Sequence, residues 1–176
     1  MNKKFELLLD DTITIFGIRL FRIKALISFG SVEEGEIGGY VEKEDNLSSS
    51  GNAWVSGDAR VYGNARVSGD AEVYGNARVY GDARVSGNAE VYGNAWVYGN
   101  ARVYGDADYI VFKNNWSSGR YFTYTRSNKM WRVGCFYGTG QELIKKAYKD
   151  SEASGKHYEA YVEFVEKLEK LENTND

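Results

Sequence analysis

The sequence predicts a mainly β chain organised around a parallel β-solenoid, and three observations carry that prediction. Glycine recurs every six residues from Gly51 to Gly105 without a slip. Alanine holds the second slot after the glycine in all ten units, and valine the fourth in nine, with Tyr109 replacing it in the last. Asn or Asp follows every glycine, and that pair suits a tight corner because both residues tolerate positive φ. Each unit is therefore a short strand plus a bend. Ala and Val lie two apart and share one face of the strand, while the variable slot and the following Tyr or Ser share the other. One such strand cannot bury its valine alone, and stacking turns into a solenoid gives a continuous core. A disordered low-complexity tract is the alternative, but such tracts lack a perfect apolar slot.

Three units follow in order. Residues 1–38 read as an N-terminal β cap. Phe5–Leu9 and Thr12–Phe16 are apolar runs split by Asp10 and Asp11, which suggests a hairpin turning there, and Ile18–Ile27 adds a strand before Gly30. Residues 39–108 form the array. Upstream of the perfect repeats, Gly39 keeps the glycine phase while Val41 and Leu47 keep the alanine phase, so degenerate units add a coil. Residues 109–176 form an α+β module. Tyr109–Lys113, Tyr121–Thr125 and Met130–Phe136 read as strands of a meander. Thr139 and Glu142 have capping-box spacing for a helix to about Asp150, which Ser151–Gly155 breaks. A second helix runs from Lys156 to Glu172. Its stripe of Tyr158, Tyr161, Val162, Val165, Leu168 and Leu171 calls for a partner, either the meander or the same helix in another subunit.

Composition excludes several function classes. With 22 Lys+Arg against 25 Asp+Glu the chain is not a generic polyanion binder, and nucleic acid is not an expected partner. No apolar run spans a bilayer, the first residues lack a secretory pattern, and the single cysteine fits a reducing cytoplasm. Cys135 reads as a buried strand residue rather than a nucleophile. No metal is expected, since three zinc-ligating histidines cannot come from the single His157 and the corners offer isolated acids rather than a carboxylate cluster. No cofactor is expected either.

The run of GNARVY, GDARVS and GNAEVY units resembles the hexapeptide-repeat proteins. That resemblance implies a left-handed parallel β-helix with three repeats to each triangular coil, so that residues about 18 apart stack. Arg22–Leu26 (RIKAL) and Gly35–Ser48 (GEIGGYVEKEDNLS) resemble the N-terminal cap of a group of phage and prophage proteins. TYTRS and VGCFYGTGQELI, at 123–127 and 133–144, resemble a small C-terminal module of phage proteins. Neither flank implies an activity.

With three sides, the outward slots sort into columns. One face carries Glu72, Glu90 and Asp108, with Tyr74 and Tyr92 beside them. A second carries Arg60, Tyr62, Arg78, Tyr80, Trp96 and Tyr98. The third carries Arg66, Arg84 and Arg102. Stacked arginines repel unless opposed. The acidic column of one subunit is therefore expected to face the Arg66/Arg84/Arg102 column of the next in a closed ring, with a trimer favoured, as hexapeptide-repeat proteins commonly form. The alternative is solvated columns softened by tyrosine stems. The arginine–aromatic face can stack bases or sugars while pairing with phosphate, or it can pack against the C-terminal segment or a partner.

The function expected from these readings is non-catalytic binding or assembly by a phage- or prophage-encoded protein in the bacterial cytoplasm. It would inhibit host defence by gripping a host protein or sequestering a small nucleotide. Two alternatives stand beside it: a hexapeptide-type acyltransferase with His157 as base, and a structural spacer or filament former.

Overall fold

The structure is a computed structural model describing residues 3–174. Residues 1–2 of the expected unit 1–38 and residues 175–176 of the expected unit 109–176 lie outside the described residues. A three-sided β-solenoid of about four coils forms the body, with an antiparallel hairpin on one face and an α+β module at the far end.

Each hexapeptide contributes one two-residue strand. One side stacks β4 (Trp54–Val55), β7 (Glu72–Val73) and β10 (Glu90–Val91). A second stacks β5 (Arg60–Val61), β8 (Arg78–Val79) and β11 (Trp96–Val97), and a third β6 (Arg66–Val67), β9 (Arg84–Val85) and β12 (Arg102–Val103). Every pairing within these sides is parallel and joins a residue to the one 18 further on, such as Arg60 to Arg78 and Val61 to Val79. Alanine from Ala53 to Ala101 and valine from Val55 to Val103 point inward and are almost wholly buried. The corner glycines Gly51 to Gly99 have φ between 61° and 73°. A Cβ on Gly69 would also come within 3.1 Å of the Gly87 backbone nitrogen, so the corner needs glycine for both shape and space.

The first coil is out of phase with the sequence expectation. Tyr40 and Val41, in β3 (Ile37–Val41), pair with Arg60 and Val61, and Leu47 bridges Val67. The offset is 20 residues rather than 18. Val41 and Leu47 therefore occupy valine slots, and Gly39, close to the Ala59 carbonyl and without a positive φ, occupies an alanine slot. The serine-rich stretch 48–50 absorbs the two extra residues. Buried Asn46 stitches this coil: its Nδ2 donates to the Gly63 and Ala65 carbonyls while its Oδ1 accepts from the amides of Glu42 and Lys43. At the other end the tenth unit leaves the solenoid. Gly105 is extended, residues 106–108 form a 3-10 turn, and Tyr109 opens the module.

The N-terminal hairpin turns later than the aspartates suggested. β1 (Phe5–Ile15) runs through Asp10 and Asp11, which sit at a register shift between Leu8 and Thr12, and pairs with β2 (Ile18–Ala25). The reversal falls at Phe16 and Gly17, both with positive φ, the geometry of a tight two-residue hairpin. β2 pairs with β3, so the hairpin continues the Arg60 side of the solenoid.

In the module, β13 (Tyr109–Lys113), β14 (Tyr121–Thr125), β15 (Met130–Val133) and β16 (Phe136–Gly138) form the meander. The expected strand Met130–Phe136 is split by a turn at Gly134 and Cys135, which leaves Cys135 exposed rather than buried. Thr139 caps α1 (Gly140–Asp150) through its capping box with Glu142. Only Ser151 interrupts the helices, and α2 (Glu152–Asn173) already contains Gly155, where a Cβ would press into the Tyr148 ring. Val162, Val165 and Tyr158 of α2 meet Phe122, Tyr124, Trp131, Leu143 and Ala147, so meander and α1 cover the stripe within the chain; Leu171 remains exposed. No helix among the described residues is long and apolar enough to cross a membrane.

Open strand edges at the N-terminal end are closed by a cation. Lys4 is 2% exposed, and its Nζ donates to the carbonyls of Ala53 (2.7 Å), Gly51 (3.1 Å) and Ser48 (3.4 Å), 4.2 Å from the Phe29 ring centre. Burial lowers its pKa to about 8, opposed by the Asp70 charge. A lysine whose folded pKa lies below its unfolded value penalises folding while charged, so that penalty fades as pH rises from about 8 toward the unfolded value of 10.5. Chemical denaturation across that window is expected to show this gain in the native chain. Lys4→Met should lose the gain while being about 1–3 kcal/mol less stable, because the carbonyls are left unsatisfied.

Candidate binding cleft

The predicted arginine–aromatic face divides into a tyrosine column packed by the flanks and a half-buried column that lines a cleft. Tyr62 and Tyr80 stack with ring centres 4.8 Å apart, Tyr80 and Tyr98 at 4.4 Å, and Tyr98 meets Tyr137 of β16 edge-on at 4.7 Å. At the lower end Tyr62 is buried with Leu20 and Tyr40 under Ile13, Ile15 and Ile18 of the hairpin. The flanks of the chain itself thus cover the tyrosine column, which makes it internal packing rather than a free stacking surface.

Arg132 of β15 fastens the module to this column. Its guanidinium lies 5.2 Å from the Tyr98 ring centre, 5.5 Å from Trp96 and 5.8 Å from Tyr80. Module hydroxyls also satisfy amides of the last coil: Thr123 Oγ1 accepts from Trp96 N, and Ser127 Oγ from Arg102 N. These bonds occupy a strand edge that would otherwise be open to another chain.

Arg60, Arg78 and Trp96 are half-buried. They line a cleft of about 490 Å³ with Asp58, Asn76 and Asn94 from the solenoid corner and Arg120, Tyr121 and Gly134 from the module. The 18-residue register files Arg60, Arg78 and Trp96 along one wall. The Arg78 guanidinium sits 4.7 Å from the Trp96 ring centre. Three guanidiniums against one carboxylate make the cleft cationic, and no acid among the described residues forms an ion pair with Arg60, Arg78 or Arg120. Such a site offers forked donors to phosphate or carboxylate and aromatic surfaces to a planar ring.

Sequence reasoning missed Arg120 and Tyr121, which lie at the β13–β14 connection, because nothing local says that this hairpin reaches the solenoid. It read Asp58, Asn76 and Asn94 only as turn residues, although their own 18-residue spacing places them in one column. Asp108 leaves the acidic column altogether: its Oδ2 accepts from the amides of Tyr104 and Gly105 and caps the exit turn. Its place is the 3-10 exit turn rather than the strand ladder that carries Glu72 and Glu90. Glu72 and Glu90, and Arg66, Arg84 and Arg102, stay exposed on their predicted faces. His157 lies on an exposed turn of α2, its ring stacked on Trp116 at 4.2 Å and its Nδ1 2.6 Å from the Ala153 carbonyl, and it does not line the cleft. No group of acidic, histidine or cysteine side chains among the described residues is arranged to hold a metal.

Burial pushes the Tyr80 phenol up to about 12 and raises that of Tyr62, with Arg132 and Arg78 respectively pulling the other way. A phenol whose folded pKa exceeds its unfolded value adds stability below about pH 10, and that stability is lost as pH climbs through the folded pKa. The protein is expected to lose thermal stability from about pH 10 upward. Ultraviolet titration should show part of its tyrosine complement ionising only with unfolding; a single normal titration of every tyrosine would contradict the packed column.

The family described as the YdcK beta-solenoid repeat matches this chain at residues 59–75, 71–87, 83–99 and 95–107. No curated protein matches it. Over those residues the chain is similar to that repeat family, in keeping with the solenoid described above.

Proposed function

We propose that this protein is a non-catalytic binder of a small anionic ligand carrying a planar ring, with a nucleotide as the class that fits best. The observation that carries the reading is the convergence of Arg60, Arg78 and Arg120 with Trp96 and Tyr121 on one cleft, the arginines without ion-pair partners among the described residues. Phosphates would take the forked guanidinium donors, and the base would lie against Trp96 or Tyr121. Corner amides of Asn76 and Asn94 add neutral donors and acceptors at the rim. No histidine or cysteine lines the cleft, which supports binding rather than acyl transfer.

The phage-like flanks extend this reading to a setting. Inside an infected bacterium, such a protein would act in the cytoplasm by withholding a nucleotide signal from host defence.

Calorimetric titration with ADP, and separately with inorganic pyrophosphate, tests the site. Both are expected to bind, ADP the tighter. Arg78→Ala should weaken both by about 10- to 100-fold through a lost charge-assisted contact. Trp96→Ala should weaken ADP about 10-fold and spare pyrophosphate, and His157→Ala should change neither. Absence of binding by both probes at millimolar concentration would reject the reading.

A further inference from the structure

Two of the three solenoid sides carry opposite charge at the same pitch. The β4–β7–β10 side presents Glu72 and Glu90; the β6–β9–β12 side presents Arg66, Arg84 and Arg102, all five exposed. The register sets Glu90 on Glu72 and files the three arginines. Rungs in both ladders therefore stand ~4.8 Å apart. Like charges at that spacing repel, and no ion pair among the described residues relieves either ladder. Glu90 accepts one hydrogen bond, from the Tyr74 hydroxyl.

We infer that the acidic side of one copy docks on the arginine side of a second copy, with solenoid axes parallel. Height and distance from the shared corner agree on the register, since Arg66 and Glu72 each lie three residues from Gly69, and Arg84 and Glu90 three from Gly87. Arg66 and Glu72 are one hexapeptide apart, as are Arg84 and Glu90, so in a ring of level copies they differ in height by about a third of a rung.

Geometry fixes how many copies close the ring. The sides are equal, because each is one hexapeptide long, so the outward normals of two of them diverge by about 120° and face-on docking turns each copy by about 60°. Six copies then close, rather than the three expected from sequence. The charged sides meet at the corner of Gly51, Gly69 and Gly87, which points inward. The remaining side, with the hairpin and the binding cleft, points outward and stays accessible.

Native mass spectrometry with light scattering in solution tests this. The expected result is a six-copy mass that dissociates as salt is raised. Glu72→Lys with Glu90→Lys should give folded monomers, with circular dichroism unchanged because both side chains are exposed. Adding Arg66→Glu and Arg84→Glu to that variant should restore six copies. A wild-type monomer or trimer, an assembly indifferent to the charge reversal, or a fourfold variant that stays monomeric would each overturn the inference.

Discussion

The 18-residue hydrogen-bond register is the constraint on which the rest of this molecule depends. The amides of one coil donate to the carbonyls of the next, as in Arg60 N to Ala77 O and Arg66 N to Ala83 O, both at 3.0 Å. That register holds only if every coil spends the same number of residues on its corners, and the glycine–Asn/Asp pair keeps that number fixed. Once it holds, valine falls on valine and alanine on alanine, and each fully buried valine contributes roughly 1.5–3 kcal/mol. The small alanine beside each corner is what lets the three sides converge on a core so narrow.

A solenoid leaves two open ends, and the chain closes them by different chemistry. At the start a buried ammonium, that of Lys4, serves carbonyls that no preceding coil can reach. At the finish hydroxyls and carboxylates serve orphaned amides: Thr123, Ser127 and Asp108 each accept from the last coil, and Asp106 accepts from Glu90 N. The polarity is dictated by the ladder, which presents acceptors at one end and donors at the other. Caps of this kind also block edge-to-edge growth.

The same register sorts the surface. Whatever occupies a variable slot is repeated up the same side, so chemistry accumulates in columns rather than in isolated residues. One column becomes a stack of tyrosines that anchors both flanks, and its neighbour becomes the wall of a cationic cleft. A module hairpin supplies Arg120 and Tyr121 to complete that cleft. The cleft is therefore a joint product of the repeat and its cap, so the ligand recognition proposed for it depends on docking of the module through Arg132.

By itself the sequence determined the solenoid, its alanine and valine core slots and the capping box at Thr139, because each is a periodic or local pattern whose consequence does not depend on distant residues; its three faces came from the resemblance to hexapeptide-repeat proteins, since a six-residue period alone does not count the sides. Tertiary structure alone decided the rest. The shift of Val41 and Leu47 into valine slots follows from the extra residues at 48–50, which no periodicity marks. The hairpin turned at Phe16 and Gly17 because strand pairing with β2 absorbed the two aspartates as a register shift. Burial of Tyr62 under the hairpin, and the meeting of Arg120 with Arg60 and Arg78, depend on how flanks fold back over the array. That is long-range packing, set by which surfaces are left to cover once the local elements have formed.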